Sequence, residues 1–401
     1  MTEAALAGTL VLDVTEHVSG PYCTKLLADY GAEVIKIERP GTGDPARREG
    51  PFFEDDPHPE KSLVFLNHNT GKKSLTLDLT TKKGRDILTA LAEQADLLVE
   101  NHSPGAMKGW GLGHDQLRGH NPRLVYTSIS PYGQTGPYRD YQATDMTIFA
   151  MAGIMYRHGE PDREPVRYPG HVIQCLAGVN AAAASMCALV GANLTGEGCY
   201  IDIATIECLA GAADRQALRY AYSGDSARRE GFRNEARYPN GIFPCADGFV
   251  HIAALLSERG WVRLVRMLGA SEWLTDSRFA TPAARREHRD DFDTFFYPWL
   301  LDRTRREIFE LGREHRVMVG MVYTMDEVLK DPQYAARGYF ASVDHPVVGE
   351  HLYAGVPFRL SESPGRVRQA PLLGEHTEEV LCPRLGYLRE DVAGLRRQGV
   401  V

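Results

Sequence analysis

Residues 9–38 read TLVLDVTEHVSGPYCTKLLADYGAEVIKIE, and the pattern of this stretch decides the fold class. Residues 9–14 are a short, nearly continuous apolar run, which is typical of a strand buried in a parallel sheet. Residues 20–31 then predict a helix, and residues 33–38 predict a second strand. A strand, a helix and a second strand in this order predict parallel β-structure of the α/β class.

The same alternation continues along the chain. It predicts four more strands and two long helices, which are strands at 73–79, 97–101, 124–129 and 200–203 and helices at 83–94 and 172–191. Alternation of this kind predicts a doubly wound, Rossmann-like α/β sheet. Residues 224–240 have no apolar periodicity and are interpreted as a linker. The strand and helices that follow, to about residue 330, predict a smaller α/β lobe.

The composition fits an intracellular enzyme with two lobes. With 401 residues, of which 43% are hydrophobic and 24% charged, the chain is soluble in character and too long for one ordinary compact core. A net charge of −8 without a basic block argues against a nucleic-acid-binding surface. Seven scattered cysteines without a CxxC pair are typical of reduced thiols rather than of a zinc site. No uninterrupted apolar run of about 18 residues and no secretory signal is seen, so we expect a cytoplasmic protein without a membrane span.

Short motifs recur in a fixed order along the chain and together resemble one enzyme family. The motifs are Val11-Leu12-Asp13-Val14-Thr15, Ser19-Gly20-Pro21, Ala28-Asp29-Tyr30-Gly31-Ala32-Glu33-Val34-Ile35-Lys36-Ile37-Glu38, Asn67-His68-Asn69, Lys72-Lys73-Ser74, Val99-Glu100-Asn101, Asn121-Pro122-Arg123, Tyr132-Gly133-Gln134-Thr135-Gly136-Pro137, Thr195-Gly196-Glu197-Gly198 and Gly374-Glu375-His376-Thr377. The ordered set resembles the class III CoA-transferases, a family that includes formyl-CoA transferase, carnitine CoA-transferase and α-methylacyl-CoA racemase. The resemblance runs from about residue 6 to the C-terminus.

The resemblance implies a large Rossmann-like domain built from both ends of the chain, a smaller α/β domain between them, and an interlocked dimer. The expected boundaries are 1–223 for the N-terminal part of the large domain, 224–330 for the linker and small domain, and 331–401 for the return to the large domain. The resemblance also implies transfer of CoA between an acyl-CoA and a carboxylic acid, without a metal. The sequence does not indicate which acyl group is carried.

Position by position, the resemblance implies CoA contacts for seven residues, which are His17, Val18, Ser19, Arg39, Asn101, His102 and Ala106. A phosphate-bearing nucleotide suits cations and helix N-termini near the carboxyl ends of parallel strands. Arg39 and Asn101 each follow a predicted strand, and Lys108 lies in a Gly-rich turn. Without the resemblance, Arg39 and Lys108 would be interpreted as ordinary solvated charges. Ser103 and Gly109 occupy positions where many family members carry arginine, so we expect either a weaker phosphate site or one supplied by Lys108.

The family's catalytic position holds an unexpected residue. In the family's transferases an aspartate attacks the acyl-CoA, and an enzyme-bound anhydride and then an aspartyl-CoA thioester follow. Counting back from the motif at 195–198 places this position at Gln174, four residues before Gly178. An amide cannot form the mixed anhydride that a carboxylate forms. Residues 170–176 contain no Asp or Glu that could replace it.

Other chemistry near Gln174 stays open. The racemase branch of the family uses a His and Asp pair, but its aspartate is equivalent to the transferase nucleophile and its histidine position corresponds to Thr144. Asp145 and His171 could form a different acid/base couple, although a packed or hydrogen-bonding His171 is the more ordinary interpretation. Cys175 is the thiol beside this position, but the sequence shows no local cation that would lower its pKa.

Three functions follow from these observations. The first is a transferase subunit that lacks the aspartate and is completed by a homologous, aspartate-bearing partner, as in two-subunit family members acting on succinyl-CoA and benzylsuccinate. The second is a self-sufficient acyl-CoA isomerase or racemase-like enzyme that uses Asp145. The third is a non-catalytic protein that binds CoA esters. Retained CoA motifs beside a lost nucleophile favour the first, and the expected assembly is a homodimer or a heteromer with that homologue.

Overall fold

The chain forms two compact units. The computed structural model describes residues 4–213, 215–229, 231, 238–253 and 257–401. The first unit contains Met1–Ile154, Arg167–Arg215 and Gln333–Val401, and the second contains Met155–Val166 and Gln216–Pro332. Both ends of the chain therefore build the first unit. The second unit differs from the expected range 224–330 because it begins at Gln216 and also takes in Met155–Val166.

A six-stranded parallel sheet is the centre of the first unit. Its strands are β1 (Leu10–Val14), β2 (Glu33–Glu38), β3 (Lys73–Thr76), β4 (Leu97–Glu100), β5 (Val125–Ser130) and β6 (Tyr200–Ala204). Their order in the sheet is β3-β2-β1-β4-β5-β6, and each neighbouring pair is parallel. This is the strand order of the Rossmann fold. The prediction of a Rossmann-like α/β sheet is thus confirmed.

Helices cover both faces of the sheet. The helices up to the end of this sheet are α1 (Ser19–Asp29), α2 (Leu63–His68), α3 (Lys82–Ala92), α4 (Ala106–Gly109), α5 (His114–Arg118), α6 (Asp145–Met151), α7 (Val172–Thr195) and α8 (Thr205–Gly211). On one face α1 and α7 pack against Val11, Leu97 and Val125. Every residue of β1, β4 and β5 is buried, and most of their positions are apolar, as expected for strands covered on both faces.

The second unit has its own core. Its elements are α9 (Gln216–Ser223), β7 (Asn240–Cys245), β8 (Gly248–Ala253), α10 (Glu258–Leu268), α11 (Pro282–Glu287), α12 (Arg289–Leu301), α13 (Arg305–His315), β9 (Met318–Met321) and α14 (Met325–Lys330). The three strands form an antiparallel sheet in the order β7-β8-β9. Aromatic side chains such as Phe243, Trp261 and Phe296 fill the core beside it. In the linker predicted at 224–240, residues 230 and 232–237 lie outside the described residues.

The C-terminal part of the chain completes the first unit. Its elements are α15 (Pro332–Arg337), the antiparallel hairpin of β10 (Phe340–His345) and β11 (Gly349–Ala354), α16 (Thr377–Leu385) and α17 (Arg389–Arg397). Leu381 of α16 and Leu395 of α17 join Leu88 of α3 in the core cluster on the second face of the sheet. That face is therefore built from segments about 300 residues apart, with Leu88 and Leu395 in one cluster.

Helix α7 is the longest helix of the first unit and is strongly apolar. By length and composition alone it could cross a membrane, although no such segment was expected from the sequence. It packs along α1 and against the sheet, and it buries Ala177, Gly178 and Ala181 there. Core packing accounts for this apolar side of the helix. Val179, Val190 and Leu194 are nevertheless exposed, and Leu194 is 82% exposed.

Candidate active site

The N-terminal ends of α1 and α7 meet at the candidate site, and Gly178 allows this approach. A Cβ atom at Gly178 would lie 2.6 Å from the backbone oxygen of Ser19 and 3.2 Å from the Cβ of Tyr22. Any larger residue would force the two helices apart. Gln174 lies one helical turn before Gly178 on α7. The tight packing therefore brings the Gln174 end of α7 close to the beginning of α1.

The turn between β1 and α1 has a strained backbone conformation. His17 has a positive φ of 63°, which is uncommon for a residue with a side chain. Its backbone N–H donates to Asp44 Oδ1 at 2.9 Å. Asn101 holds the preceding residue, because its Oδ1 accepts from the Glu16 N–H and its Nδ2 donates to the Glu16 carbonyl, both at 2.8 Å. These bonds stabilise the strained turn.

Buried ion pairs fix the segment that faces this turn. Lys36 Nζ lies 2.8 Å from Asp44 Oδ2, and both side chains are almost fully buried. Burial opposes the charged form of Lys36, but Asp13, Asp44 and Glu38 outweigh it and raise the Lys36 pKa above its ordinary value. Asp44 Oδ1 also accepts from the backbone N–H of Ala46 and so caps the 3₁₀ helix Pro45–Arg48. One aspartate thus joins the His17 turn to the helix that ends beside Glu49.

A second buried pair supports the same 3₁₀ helix. Arg47 is completely buried, and its Nε and Nη2 donate to the two oxygens of Glu38 at 2.7 and 2.9 Å. Its Nη1 donates to Glu60 at 2.6 Å, and its guanidinium lies 3.6 Å from the centre of the Phe65 ring. Because these contacts hold the guanidinium group, buried interactions fix the position of residues 45–49.

A series of contacts connects His17, Glu49, His171, Asp145 and Gln174, and we call these five residues the Gln174 cluster. Glu49 lies between two imidazoles, 3.7 Å from His17 Nδ1 and 3.6 Å from His171 Nε2. His171 Nδ1 is 4.0 Å from Asp145 Oδ2, and the Gln174 side chain hydrogen-bonds to Asp145. The structure thus brings together Gln174, Asp145 and His171, and it adds two residues that were not assigned to this position.

Burial has a strong effect on the acidic groups of this region. It raises the pKa of Asp145 above its usual range, and the Gln174 hydrogen bond and His171 offset part of that rise. Burial, together with the nearby Asp145 charge, raises the pKa of the Cys175 thiol to about 11. Cys175 is therefore protonated at neutral pH and is a poor nucleophile there. The raised pKa of Asp145 makes this carboxyl group the candidate general acid or base of the cluster.

Two of the residues expected to contact CoA line one small cavity. Arg39 and His102 lie around a space of about 170 Å³ at the carboxyl ends of β1, β2 and β3. Arg39 is exposed, and its guanidinium is free to reach a ligand. This edge of a parallel sheet is where open α/β folds bind their ligands.

A second cavity, of about 360 Å³, contains Lys108. Arg139 lies in the same cavity and supplies a second cation, and Ser103 lines it with a neutral hydroxyl. Glu100 is also part of the wall. Burial, and to a smaller degree Asp202, raises the Glu100 pKa to about 7, against hydrogen bonds from Ser128 and the His102 N–H. Glu100 is thus partly protonated near neutral pH and offsets only part of the positive charge of the two cations.

The remaining expected contacts are less accessible. Val18 is completely buried, so only its backbone could meet a ligand, and Ser19 is 8% exposed. The Asn101 amide is already occupied by Glu16. The backbone N–H of Ala106 donates to the Ser103 carbonyl at 3.0 Å. These residues shape the carboxyl edge of the sheet, whereas Arg39, His102 and Lys108 face open space there.

Sequence reasoning missed Glu49, Arg139 and Glu100. Glu49 lies in a long polar loop without periodicity, where no pattern separates it from its neighbours. Arg139 follows the Gly136-Pro137 turn, and its position in a glycine-rich turn was the one available signal. Glu100 was seen only as part of a motif. Among the described residues, no group of three or more His, Cys, Asp or Glu side chains is arranged to hold a metal ion.

Comparison with known proteins adds independent information. Residues 6–377 match CoA-transferase family III. Succinyl-CoA--D-citramalate CoA-transferase of Chloroflexus aurantiacus is 35% identical, over 98% of this chain and 96% of the relative. Succinyl-CoA:(R)-benzylsuccinate CoA-transferase subunit BbsE of Thauera aromatica is also 35% identical, over 98% of this chain and 97% of the relative. Formyl-CoA:oxalate CoA-transferase of Rhodopseudomonas palustris is 33% identical, over 99% of this chain and 97% of the relative.

Solved structures of similar proteins share the fold of this chain. A CAIB/BAIF family protein from Brucella suis superimposes with a TM-score of 0.85 at 32% identity, covering 95% of this chain and 100% of that one. A Mycobacterium tuberculosis protein gives a TM-score of 0.81 at 28% identity, with 94% and 99% coverage. The whole fold, including both units, is therefore shared with these proteins. On the family match and on full-length relatives that are CoA-transferases, this chain belongs to CoA-transferase family III and is a CoA-transferase, an enzyme class whose substrates are CoA thioesters.

Proposed function

We propose that this chain is the aspartate-lacking subunit of a two-subunit CoA-transferase, which moves CoA from succinyl-CoA to a carboxylic acid of the benzylsuccinate type. The observation that carries the proposal is Gln174. Its side chain lies at the start of α7, hydrogen-bonded to Asp145, at the position where the family's transferases are expected to hold their nucleophile. An amide there cannot carry an acyl group. An aspartate-bearing homologous subunit would supply the missing carboxylate.

The surface of α7 supports an assembly of this kind. Val179, Val190 and Leu194 leave an exposed apolar strip on a helix whose other side packs in the core. Exposed apolar strips of this kind are typical of surfaces that another chain covers. The relative from Thauera aromatica is named as one subunit of its enzyme. A homologous partner in an interlocked dimer is the occupant that we propose, in the cytoplasm.

The proposal is tested with the chain alone and with its partner. We expect the purified chain to show no transfer from succinyl-CoA to (R)-benzylsuccinate or D-citramalate. A tagged chain isolated from its own cells should bring with it a homologue that has Asp at the position equivalent to Gln174, and this complex should transfer CoA. Strong transfer by the lone chain, with an acyl-enzyme trapped by hydroxylamine, would contradict the proposal.

One observation favours a second candidate function. Asp145 and His171 are within ion-pair distance, and Asp145 has a raised pKa, as suits a general acid/base pair. Such a pair could exchange the proton on the carbon next to the thioester carbonyl. Incubation of the lone chain with an acyl-CoA in deuterium oxide separates the two functions. Deuterium at that carbon would favour the isomerase or racemase-like activity. Its absence would favour the proposal of a transferase subunit.

Binding of CoA by this chain is a separate prediction. Replacing Arg39 by Ala removes an exposed cation at the carboxyl edge of the sheet, so we expect CoA to bind about ten- to a hundredfold more weakly, as for the loss of a charged hydrogen bond worth roughly 1.5–3 kcal/mol. Calorimetry with CoA and with dephospho-CoA measures this. The exposed Arg389, on the distant helix α17, serves as the matched control in an Arg389→Ala variant. Equal CoA affinity in the native and Arg39→Ala chains would contradict the prediction.

A further inference from the structure

A groove formed by the C-terminal part of the chain has closely packed walls. It encloses about 580 Å³ between the end of α15, the β10–β11 hairpin and the segment at 355–367. A Cβ atom at Gly355 would lie 1.9 Å from the Tyr339 carbonyl oxygen, and one at Gly365 would lie 2.8 Å from the Tyr30 ring. Tyr30 in turn stacks on Phe358 with ring centres 4.2 Å apart. The backbone at these two glycines is therefore closely packed against neighbouring atoms.

The groove carries an unbalanced positive charge. Arg337, Arg359 and Arg366 line it, and none of its lining residues is Asp or Glu. In the part of the chain that the structure describes, no carboxylate pairs with these three guanidinium groups. The two cavities at the carboxyl edge differ in this respect, because Glu100 and Asp115 line one and Glu16, Glu38 and Asp78 line the other. Three unpaired cations in one concavity are notable in a chain with a net charge of −8.

The backbone of Arg366 is anchored to the first unit, and its side chain is exposed. Its backbone N–H donates to the Asp29 carbonyl at 2.7 Å, at the end of α1. The side chain of Arg359 lies near Gly338, at the end of α15. Its Nη2 atom is 3.9 Å from the position that a Cβ atom on Gly338 would take. Arginine presents its donors in a planar fork that matches carboxylate and phosphate oxygens. The exposed ring of Tyr334 and the half-buried ring of Tyr339 add flat walls for an organic body.

We propose that this groove binds an organic anion with two or more carboxylate or phosphate groups. Its volume lies in the range of small-molecule sites, about 300–1,000 Å³. Its three arginines match several negatively charged groups at once, whereas a neutral ligand would leave them unpaired.

Calorimetry on the native oligomer tests the proposal, with citrate and tricarballylate as polycarboxylates and pyrophosphate as the phosphate. Sodium chloride at matched ionic strength is the control. Saturable binding of at least one of these anions, absent with chloride, is expected. Arg359→Gln should weaken it about tenfold or more, and the triple variant Arg337→Gln/Arg359→Gln/Arg366→Gln should abolish it. Arg389→Gln, an exposed arginine outside the groove, should leave it unchanged.

Several results would overturn the proposal. These are no saturable binding of any of the three anions, an equal effect of sodium chloride, or unchanged binding by the triple variant. Loss of anion binding in Arg39→Ala would assign the signal to the carboxyl edge instead. If the triple variant changes the mass measured by light scattering and the native protein binds none of the anions, the arginines belong to a contact between chains. No CoA is present in these titrations, so their outcome is independent of the transferase function.

Discussion

The double variant Gln174→Asp/Asp145→Asn is expected to transfer CoA from succinyl-CoA to a carboxylic acid, a reaction that we expect the unmodified chain not to catalyse alone. The exchange puts a carboxylate at the start of α7 and an amide at the neighbouring position, so the hydrogen bond between residues 174 and 145 is kept with its direction reversed. Loss of a covalent nucleophile costs up to about 10⁶-fold in rate, so even partial restoration should exceed the background by roughly a hundredfold.

The chemistry restored is that of a carboxylate nucleophile. The carboxylate attacks the thioester carbonyl and releases the CoA thiolate, which then attacks the enzyme carbonyl of the anhydride and frees the acyl acid. Hydroxylamine trapping and mass spectrometry would detect the enzyme thioester. The single Gln174→Asp variant should gain less, because two neighbouring carboxylates raise the pKa of one of them. Asp145→Asn alone should gain nothing. A folded, CoA-binding double variant without transfer would show that more than the nucleophile has changed.

Replacing Arg47 by Met is expected to destabilise the chain by about 3–5 kcal/mol, the usual cost of removing one member of a buried ion pair. Arg47 is completely buried, and the change would leave the Glu38 carboxylate without its two guanidinium hydrogen bonds. It would also remove the donor to Glu60. Guanidinium chloride denaturation at a fixed protein concentration measures the free energy of unfolding, since association contributes to it.

Two matched variants make this prediction specific. Arg48 is the exposed neighbour of Arg47, and Arg48→Met should change the free energy of unfolding by about 0.5 kcal/mol or less. In the double variant Arg47→Met/Glu38→Gln no carboxylate is left unpaired at residue 38, so part of the loss should be recovered. A loss below about 1 kcal/mol in Arg47→Met, which is typical of an exposed pair, would contradict the description of this network as a buried one.

The strands could be predicted because their signal is local. β1 and β2 are six or fewer residues long and buried at nearly every position, so their clustered Val, Leu and Ile residues indicate burial directly. The same holds for β4 and β5. The apolar character of α7 could be predicted as well, but the reason for it could not. Composition alone does not show whether such a helix crosses a membrane or packs against α1, and the close contact at Gly178 decides for packing.

Some residues of the candidate site could likewise be predicted from the sequence, and others could not. Gln174 and Asp145 could be named in advance, because Gln174 follows from counting back from the motif at 195–198 and Asp145 follows the position of the racemase branch's histidine, Thr144. Glu49 could not, although it lies between His17 and His171. It comes from a loop whose position depends on Asp44, which is held by Lys36 of β2 and bonded to the His17 turn. No local pattern encodes a contact of that kind.

The sequence by itself determined the alternation of strands and helices, the family resemblance and the amide at residue 174, because periodicity, turn residues and residue identity are properties of neighbouring positions. Only the tertiary structure decided the strand order β3-β2-β1-β4-β5-β6 and the meeting of the loops that carry His17, Glu49, Asp145 and His171. It also placed Arg337, Arg359 and Arg366 in one groove. The physical reason is that these contacts depend on strand register, on buried ion pairs and on helix packing, which join residues that lie far apart in the chain.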